Sequence, residues 1–543
     1  YAWLWPGRHL IRDFLLVDAR IELIRETTGL ISVGGFGGSA AQAGGIGDWL
    51  AKVGHVGLTG GQVGFVDRAS GAEFELDQVE LRLRQSGSGL SLGLLRRSRD
   101  GGGQLRLVLD NQGALQWPPN NAELYLEAEQ FPVSDLAGLG IVLGISLENG
   151  QLDGQQWSSW RDSQLQSTQG DWRSAGLVLT APAMDLPKTG HVAPNLHLPE
   201  GRLVLRGQRG SGGMALDLRF GDGLEAEDLQ AEISARLDTS GRVQARASRL
   251  PVALASALVQ LTRATPEGLR SAVYASQPDG ELADLSAEWS PDGWQLHADL
   301  KQLRTRSGMA RSLRLDGVDG TVHADGQGLV LEIDRVPVRY SMPGVFREAI
   351  EFQELELLLG AAKRDGNWVF EVPAAHVQGQ GFSADLALRV DLDPEAGPLL
   401  QVQAHVPGAE IEAAKAFWTI NKMPPKTVAW LDRALGVGRV TRGDVVFRGP
   451  VKRWPFAGNE GRFEARFEVA GADLNYHADW PEAKGVNAEA AFINNSLEVY
   501  SATGELLGNR VVSGSGGIAS LKNPVLQLRL VGEGDAGNWL RFL

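Results

Sequence analysis

Residues 462–469 read RFEARFEV, a strict alternation of charged and apolar side chains. Successive side chains of an extended strand point to opposite faces. One face of this segment therefore carries Phe463, Ala465, Phe467 and Val469, and the other carries only arginine and glutamate. This period of two predicts a β-strand with one apolar and one charged face.

The same alternation recurs along the whole chain. Residues 229–238 (LQAEISARLD) repeat it, and four further segments show it over five residues each. The fold class predicted from this pattern is mainly β. The apolar positions of the six segments other than alanine are Leu105, Leu107, Leu109, Leu216, Leu218, Phe220, Leu229, Ile233, Leu237, Leu329, Leu331, Ile333, Phe463, Phe467, Val469, Leu526, Leu528 and Leu530.

Turn signals lie between the alternating segments. They are Asn149-Gly150, Asp279-Gly280, Pro291-Asp292-Gly293 and Asp365-Gly366, residue types that favour tight hairpin turns. Glycine accounts for 69 of the 543 residues, and turn positions explain most of this high content. The sequence therefore predicts an antiparallel chain that is rich in hairpins.

A few short segments have helical character. Residues 250–263 combine an apolar run with good helix formers, and residues 410–418 are a second candidate. Residues 425–435 are the strongest candidate, because a proline stands at their start and a glycine directly after their end. Residues 47–53 are predicted to form one further helical turn.

The composition excludes several classes of protein. A formal net charge of −14 disfavours a nucleic-acid binder, whose affinity comes mainly from cationic side chains. The absence of cysteine excludes a disulfide framework and any Cys-ligated metal site. No apolar stretch approaches the about 20 residues that a helix needs to cross a bilayer. The chain begins at Tyr1, within the pattern and without signal-peptide features, so we expect it to be a section of a longer protein.

No group of residues points to catalysis. The motifs GxxxxGK[ST] and HExxH are absent, and the nine histidines are scattered. The glycine-rich residues 34–38 lack a surrounding βαβ unit, so a loop is the better interpretation there than a dinucleotide site. Acidic residues follow the polar strand faces, where solvation explains them. The sequence therefore predicts a protein that is not an enzyme and has neither a cofactor nor a metal site.

An apolar face of this extent has to be covered. Burying one Leu, Val or Phe side chain contributes about 1.5–3 kcal/mol, so dozens of them far exceed a net stability of about 5–15 kcal/mol. Facing sheets, closed barrels and a curved sheet with a ligand on its concave face would each cover it. No linker-like stretch divides the chain into small domains. Composition and periodicity leave a sandwich array and an open groove as alternatives.

The final third of the chain carries the most recognisable motifs. Residues 427–436 (TVAWLDRALG) precede residues 449–456 (GPVKRWPF), then come Gly461-x-Phe463 and residues 474–481 (LNYHADWP). Earlier segments fit the same family in order, namely residues 48–50, 123–127, 250–251 and 289–319. This succession resembles the YhdP branch of the AsmA-like proteins of Gram-negative bacteria, a family of bridge-like lipid transport proteins.

The resemblance implies a fold. It would be a long, twisted and curved antiparallel β-sheet that forms an extended apolar groove, the repeating β-groove type, with a few short helices. The expected sections are an N-terminal β-groove section (1–150), a central β-groove section (151–410), a helical insertion (411–436) and a C-terminal β-groove section (437–543). The eighteen apolar positions named above would line the groove and contact lipid.

The resemblance also implies a function, the non-enzymatic transport of phospholipids across the periplasm between the inner and outer membranes. Such transport would support the permeability barrier of the outer membrane. Expected partners are phospholipids and, at the ends of the full-length protein, the two membranes or their proteins; nucleic acid is not expected. An N-terminal helix absent from this chain would tether the full-length protein to the inner membrane. The alternative is a structural or adhesin-like β-sandwich array that binds protein or glycan partners.

Overall fold

The computed structural model describes residues 13–34 and 54–542, apart from residues 69–70, 87, 100, 114–115, 137–145, 187–189, 224–228, 262–264, 307–312, 394, 396, 422, 424, 457, 459 and 478. Within the described ranges, thirty strands belong to one mixed β-sheet that is not closed into a barrel, and two more form a separate hairpin. The mainly β fold class is therefore confirmed. The sequence left an array of separate sandwiches as an alternative, and the described strands form one sheet instead.

Contacts divide the chain into two compact units. Unit 1 comprises Tyr1–Ala275 and Ala283–Asp292, and unit 2 comprises Ser276–Leu282 and Gly293–Leu543. The four sections expected from the resemblance have other limits and stay a prediction.

Unit 1 holds the first seventeen strands. Their bounds are β1 Asp13–Val17, β2 Arg20–Arg25, β3 Ile31–Gly34, β4 His55–Asp67, β5 Ala72–Ser86, β6 Gly89–Arg97, β7 Gln104–Gln112, β8 Asn121–Pro132, β9 Ser146–Arg161, β10 Gln164–Thr180, β11 Met184–Leu186, β12 Gly190–Val192, β13 Asn195–His197, β14 Gly201–Gly210, β15 Gly213–Gly221, β16 Leu229–Leu237 and β17 Val243–Pro251. From β4 to β10 and from β14 to β17, each strand pairs antiparallel with the next. The long β10 also pairs with β13 and β14.

The first strands depart from the predicted antiparallel order. β1 and β2 both pair parallel with β4, with Asp13 opposite His55 and Arg20 opposite Gln62. Only β3 returns antiparallel against β2. A period of two marks a strand with two unlike faces in either direction, so alternation alone could not reveal a parallel pair.

Unit 2 continues the sheet pattern, and the division between the units falls within β18, Pro278–Ser290. Its further strands are β19 Gly293–Thr305, β20 Arg314–Asp316, β21 Val318–Asp325, β22 Gly328–Ser341, β23 Ile350–Arg364, β24 Asn367–Gly379, β25 Phe382–Asp393, β26 Gly397–Glu410, β27 Arg439–Pro450, β28 Arg462–Leu474, β29 Ala483–Ile493, β30 Ser496–Leu506, β31 Asn509–Ile518 and β32 Leu526–Glu533. β21 pairs with β19, β20 pairs with β22, and every strand from β21 to β32 pairs antiparallel with the next.

Two of the predicted turns lie inside strands. Asn149-Gly150 belongs to β9 and Asp279-Gly280 to β18, whereas the other two turn signals connect strands as predicted. Both glycines have positive φ, 115° and 127°. A side chain at Gly150 would lie 2.7 Å from the carbonyl oxygen of Gly176, so the glycine permits a close backbone approach beside an irregularity in the β9–β10 register.

Five α-helices are described, α1 Val252–Leu261, α2 Glu267–Ser276, α3 Ile411–Ala414, α4 Pro425–Ala434 and α5 Ala536–Phe542. Short 3₁₀ helices span Val133–Leu136, Lys415–Phe417 and Val451–Arg453. The helices predicted at residues 250–263, 410–418 and 425–435 are confirmed as α1, α3 with its 3₁₀ continuation, and α4. The helical turn predicted at residues 47–53 lies outside the described residues. Helices α2 and α5 were not predicted.

Buried apolar clusters lie on the sheet in both units. In unit 1, one cluster centres on Val79 and Leu81 of β5, and Leu107 and Leu109 pack against it. In unit 2, a cluster includes Ile333. A second one in unit 2 joins Ile411 of α3 to Ala472 and Val486, with Val469 packed against it. These clusters anchor the strands whose apolar sides form the candidate site.

Candidate functional site

Residues paired across neighbouring strands project to the same side of a sheet, so the register shows which side chains share a face. In unit 1 one row of paired residues crosses eleven strands, β4 to β10 and β14 to β17. Its members are Leu58, Leu81, Leu94, Leu107, Leu126, Gln156, Gly170, Leu205, Leu218, Ile233 and Ala247. We call this side of the strands the apolar face of unit 1.

Adjacent rows bring the other predicted residues of unit 1 onto the same face. Leu105 and Phe220 belong to one row, with Ala128, Gly154, Trp172 and Leu203 between them. Leu109 and Leu216 belong to another, with Leu124, Ser158, Thr168 and Gly207 between them. Leu237 lies opposite Met214 on this face. β16 begins at Leu229, whose side chain lies outside the described residues.

Unit 2 has an equivalent row of eleven strands, β22 to β32. Its members are Ile333, Leu357, Ala375, Leu386, Ala404, Val445, Ala465, Phe492, Leu497, Ile518 and Leu526. Every side chain in this row is apolar. We call this side of the strands the apolar face of unit 2.

The remaining predicted residues of unit 2 lie on the same face. Leu329 and Leu331 are neighbours of Ile333 on β22, and they lie opposite Ala361 and Leu359. Two rows join β28 to β32, one from Phe467 through Ala490, Val499 and Gly516 to Leu528, the other from Val469 through Ala488, Ala502 and Gly514 to Leu530. Phe463 lies opposite Phe447 of β27.

These apolar faces are only partly buried. Of the seventeen predicted positions with described side chains, only Ile333 is buried, with 4% of its surface exposed. Leu237, Leu329 and Leu528 are exposed, at 40%, 36% and 39%, and the other thirteen are half-buried. A packed sandwich would bury such side chains nearly completely. The faces therefore retain apolar surface that a further apolar molecule can cover.

The opposite faces of the same strands carry ion pairs. In unit 1 the Arg202 guanidinium donates to both carboxylate oxygens of Asp171, at 2.8 and 2.5 Å, and this hydrogen bonding lowers the pKa of Asp171. In unit 2 Arg389 donates to Asp391 at 2.7 and 3.0 Å, which lowers the pKa of Asp391 in the same way. Strands with one charged and one apolar side orient an apolar molecule to a single face.

A serine motif in the sequence has a structural explanation. Residues 89–93 (GLSLG) match the GxSxG spacing of hydrolase nucleophiles, which sit on a sharp turn between a strand and a helix. Here the motif lies within β6, and the Ser91 hydroxyl donates to Asp110 Oδ1 at 2.5 Å on the neighbouring strand. This geometry lacks the exposed elbow that activates such a serine.

Much of both apolar faces comes from strands that the sequence analysis did not single out. Leu126 and Leu205 in unit 1, and Leu357, Leu386 and Phe492 in unit 2, complete the rows between the predicted positions. Their own strands alternate as well, for example residues 382–392 (FSADLALRVDL). The signal for them was present, but only pairing shows that they are neighbours.

The described part of the chain has neither a metal-ligand cluster nor a helix that could span a membrane. No three His, Asp or Glu side chains there are grouped as metal ligands would be. None of the described helices has both the length and the apolar character that a bilayer span requires.

Comparison with known proteins agrees with the resemblance. Residues 3–543 match the sequence profile of the family described as YhdP protein. The chain is 22% identical over 421 residues to the intermembrane phospholipid transporter YhdP of Escherichia coli (strain K12). That alignment covers 73% of this chain and 31% of the relative, so the chain spans about a third of the relative's length. No solved structure matches the chain.

Proposed function

Because the chain belongs to the YhdP family, we propose that it is a section of a phospholipid transporter whose apolar faces carry the acyl chains. The observation that supports this most directly is the unit 2 row, in which paired residues of eleven successive strands are all apolar and most of the face stays half-buried. A lipid tail is an apolar molecule of the kind that could cover such a surface. The relative's description as an intermembrane phospholipid transporter agrees with this cargo.

The physical task of such a section is to replace water around the acyl chains. Each methylene group transferred from water to an apolar surface contributes about 0.8 kcal/mol, so two chains of about 15 carbons resist exposure by roughly 25 kcal/mol. A face of paired Leu, Val, Phe and Ala side chains lowers this cost at every strand. The headgroup can stay in water beside it. No bond is made or broken, so the proposed transport is non-enzymatic.

The same proposal assigns a place in the cell. The chain would act in the periplasm, in a transporter that is tethered to the inner membrane and reaches towards the outer membrane. Lipids or proteins of the two membranes would meet the ends of that transporter. Delivery of phospholipid would then support the permeability barrier of the outer membrane.

Lipid extraction from the purified chain, followed by mass spectrometry, tests the proposal. We expect several phospholipids per chain. A matched pair of variants locates them, since Val402→Asp introduces a charge on the apolar face of β26 and Gln403→Asp introduces the same charge on the opposite, exposed face. The first variant should lose bound lipid while it stays folded by circular dichroism, and the second should keep it. A folded native chain without lipid, or equal loss in both variants, would overturn the proposal.

A further inference from the structure

Hydrogen-bonding side chains interrupt the apolar face of unit 1 on two adjacent strands. Gln156 and Ser158 of β9 and Thr168 of β10 lie in the rows described above, between leucines. The Gln156 amide donates to Thr168 Oγ1 at 2.8 Å, and the Ser158 and Thr168 hydroxyls are 2.8 Å apart. The Trp172 indole N–H donates to Gln156 Oε1 at 3.1 Å. We call these four side chains the polar belt.

Apolar side chains flank the polar belt on both sides. On β8, Leu124 lies opposite Ser158 and Leu126 lies opposite Gln156. On the other side, β14 contributes Leu205 and β15 contributes Leu216 and Leu218. The belt is two strands wide, which is about 10 Å at the usual strand spacing. It therefore separates two apolar segments of one face, β4–β8 and β14–β17.

The belt can be buried because its members form hydrogen bonds with one another. Ser158 and Thr168 are buried, at 7% and 6% exposure, and each makes hydrogen bonds within the belt. Buried polar groups that are paired in this way cost little, whereas unpaired ones are strongly destabilising. The hydroxyl and amide groups nevertheless give an acyl chain less apolar contact than leucine does. Gly154 and Gly170, in the same rows, offer it no side chain at all.

We infer that the polar belt divides the apolar face of unit 1 into two acyl-chain binding segments, with low occupancy at β9 and β10. This inference rests on the proposed function and specifies where lipid tails bind within it. The loss of one methylene contact lowers occupancy about fourfold. Acyl chains on β9–β10 should therefore be at least about fourfold rarer than on either flank.

A control on the same two strands distinguishes a purely structural role of the belt from an effect on lipid binding. Ser159 of β9 and Ser167 of β10 form a second hydroxyl pair, 2.7 Å apart, on the opposite face. Removing either hydroxyl pair disturbs the same hairpin. Only removal of the belt would replace polar groups on the apolar face with apolar ones.

The test uses the full chain loaded from vesicles that contain a phospholipid with a photoreactive group in its acyl chain. Adducts are then mapped by peptide mass spectrometry. In the native chain we expect adducts on β7–β8 and β14–β15 to exceed those on β9–β10 about fourfold. In Gln156→Leu/Ser158→Ala/Thr168→Val, adducts on β9–β10 should rise to the level of the flanks. Ser159→Ala/Ser167→Ala should leave the native distribution unchanged.

The outcomes separate the inference from the proposed function. Equal labelling of β9–β10 and its flanks in the native chain would show that the belt does not divide the face, whereas the proposal of lipid binding would be unaffected. A belt variant that loses thermal stability but keeps the native distribution would do the same, because the belt would then be structural only. No adducts on either unit would overturn the proposed function itself. If the triple variant does not fold, Thr168→Val alone is measured, and a rise on β9–β10 is again required.

Discussion

Each unit carries a row of paired residues across eleven strands, but the two rows differ in their middle. The row of unit 2 is apolar from Ile333 to Leu526, whereas the row of unit 1 contains Gln156 and Gly170 between leucines. The two units also differ in how many polar side chains they bury. Of nine buried polar or charged side chains in the described ranges, eight lie in unit 1 and only Asn509 lies in unit 2. The same strand geometry thus supports an interrupted and an uninterrupted apolar face.

Polar groups are tolerated on an apolar face where partners satisfy them. The members of the polar belt hold one another by hydrogen bonds, and Arg96 is held by Asp77 and Asp135. Such partners allow burial without water. We expect lipid tails to bind along the unit 2 face without a break and in two segments along the unit 1 face.

The largest effect is expected for the buried arginine of unit 1. Arg96 is 1% exposed and donates to the backbone carbonyl of Asp77 at 3.2 Å and to its carboxylate at 2.9 Å. Arg96→Ala removes the guanidinium from the Asp135 carboxylate, which is 9% exposed, and leaves a cavity in place of the buried side chain, so we expect the free energy of unfolding to fall by about 3–5 kcal/mol. The exposed neighbour Arg97, paired with Glu80 at 2.8 Å, is the control, and its alanine variant should lose at most about 1 kcal/mol. Urea unfolding compares them, and similar losses would contradict the buried role.

The next effect tests how far the unit 2 face is buried. Ile333 and Leu329 lie on the same face of β22 but differ in exposure, 4% against 36%. Ile333→Ala should cost about 2–4 kcal/mol, because it opens a cavity in a packed cluster. Leu329→Ala should cost less than about 1.5 kcal/mol, since much of its surface is already exposed. Equal costs by urea unfolding would mean that the whole face is packed.

A transplanted belt should make unit 2 resemble unit 1. Leu386 and Leu388 of β25, with Val402 opposite Leu388, have the same register as Gln156, Ser158 and Thr168. Leu386→Gln/Leu388→Ser/Val402→Thr should lower acyl-chain labelling on β25–β26 several-fold, because apolar contact is removed there. The control Ala387→Ser/Gln403→Thr changes a pair on the opposite face of the same strands. Unchanged labelling in the first variant would show that polar side chains do not divide such a face.

The smallest effect concerns the charged faces, where the two units should behave alike. The pKa of Asp171 and that of Asp391 are both lowered, chiefly by hydrogen bonds from Arg202 and Arg389. A carboxylate with a lowered pKa stabilises the fold above its ordinary pKa, and this contribution is lost as pH falls through the folded value. Asp171→Asn and Asp391→Asn should each cost less than about 1 kcal/mol at pH 7, because both pairs are partly exposed.

The pH dependence provides the check for these two variants. The difference in unfolding free energy between each variant and the native chain should shrink as pH falls below the ordinary carboxyl pKa of about 4, and it should vanish once the native carboxylates, whose pKa is lowered, are protonated as well. Urea unfolding at several pH values measures it. A difference in unfolding free energy that grows on acidification would contradict a lowered pKa of these carboxylates.

Local patterns predicted some elements well and failed at others for identifiable reasons. Helix α4 was predicted from its proline and glycine, which act within the helix itself. Helix α2 was missed, because it depends on distant partners: the Arg270 guanidinium donates to the carbonyl of Pro182, and Glu267 accepts from the amide of Asp185. Asn149-Gly150 has the composition of a turn but serves inside β9, where the backbone of Gly176 approaches it.

The candidate site was likewise predicted in part from local sequence, and the rest depends on strand pairing. Alternation alone identified the apolar side of each predicted strand, since side-chain direction in a strand depends only on the neighbouring residues. The interrupted segment was not predicted, although residues 155–169 (QQWSSWRDSQLQSTQ) contain few apolar residues. Nothing in that segment shows that Gln156 and Thr168 meet between leucines of β8 and β14.

Strands with one apolar and one charged side follow from the amino-acid sequence alone, because that property is local. The neighbours of each strand, the parallel pairing of β1 and β2 with β4, and the apolar rows across eleven strands of each unit follow from the folded chain. Pairing and register are set by backbone hydrogen bonds between residues that can be far apart along the chain, and these bonds are nearly independent of side-chain type.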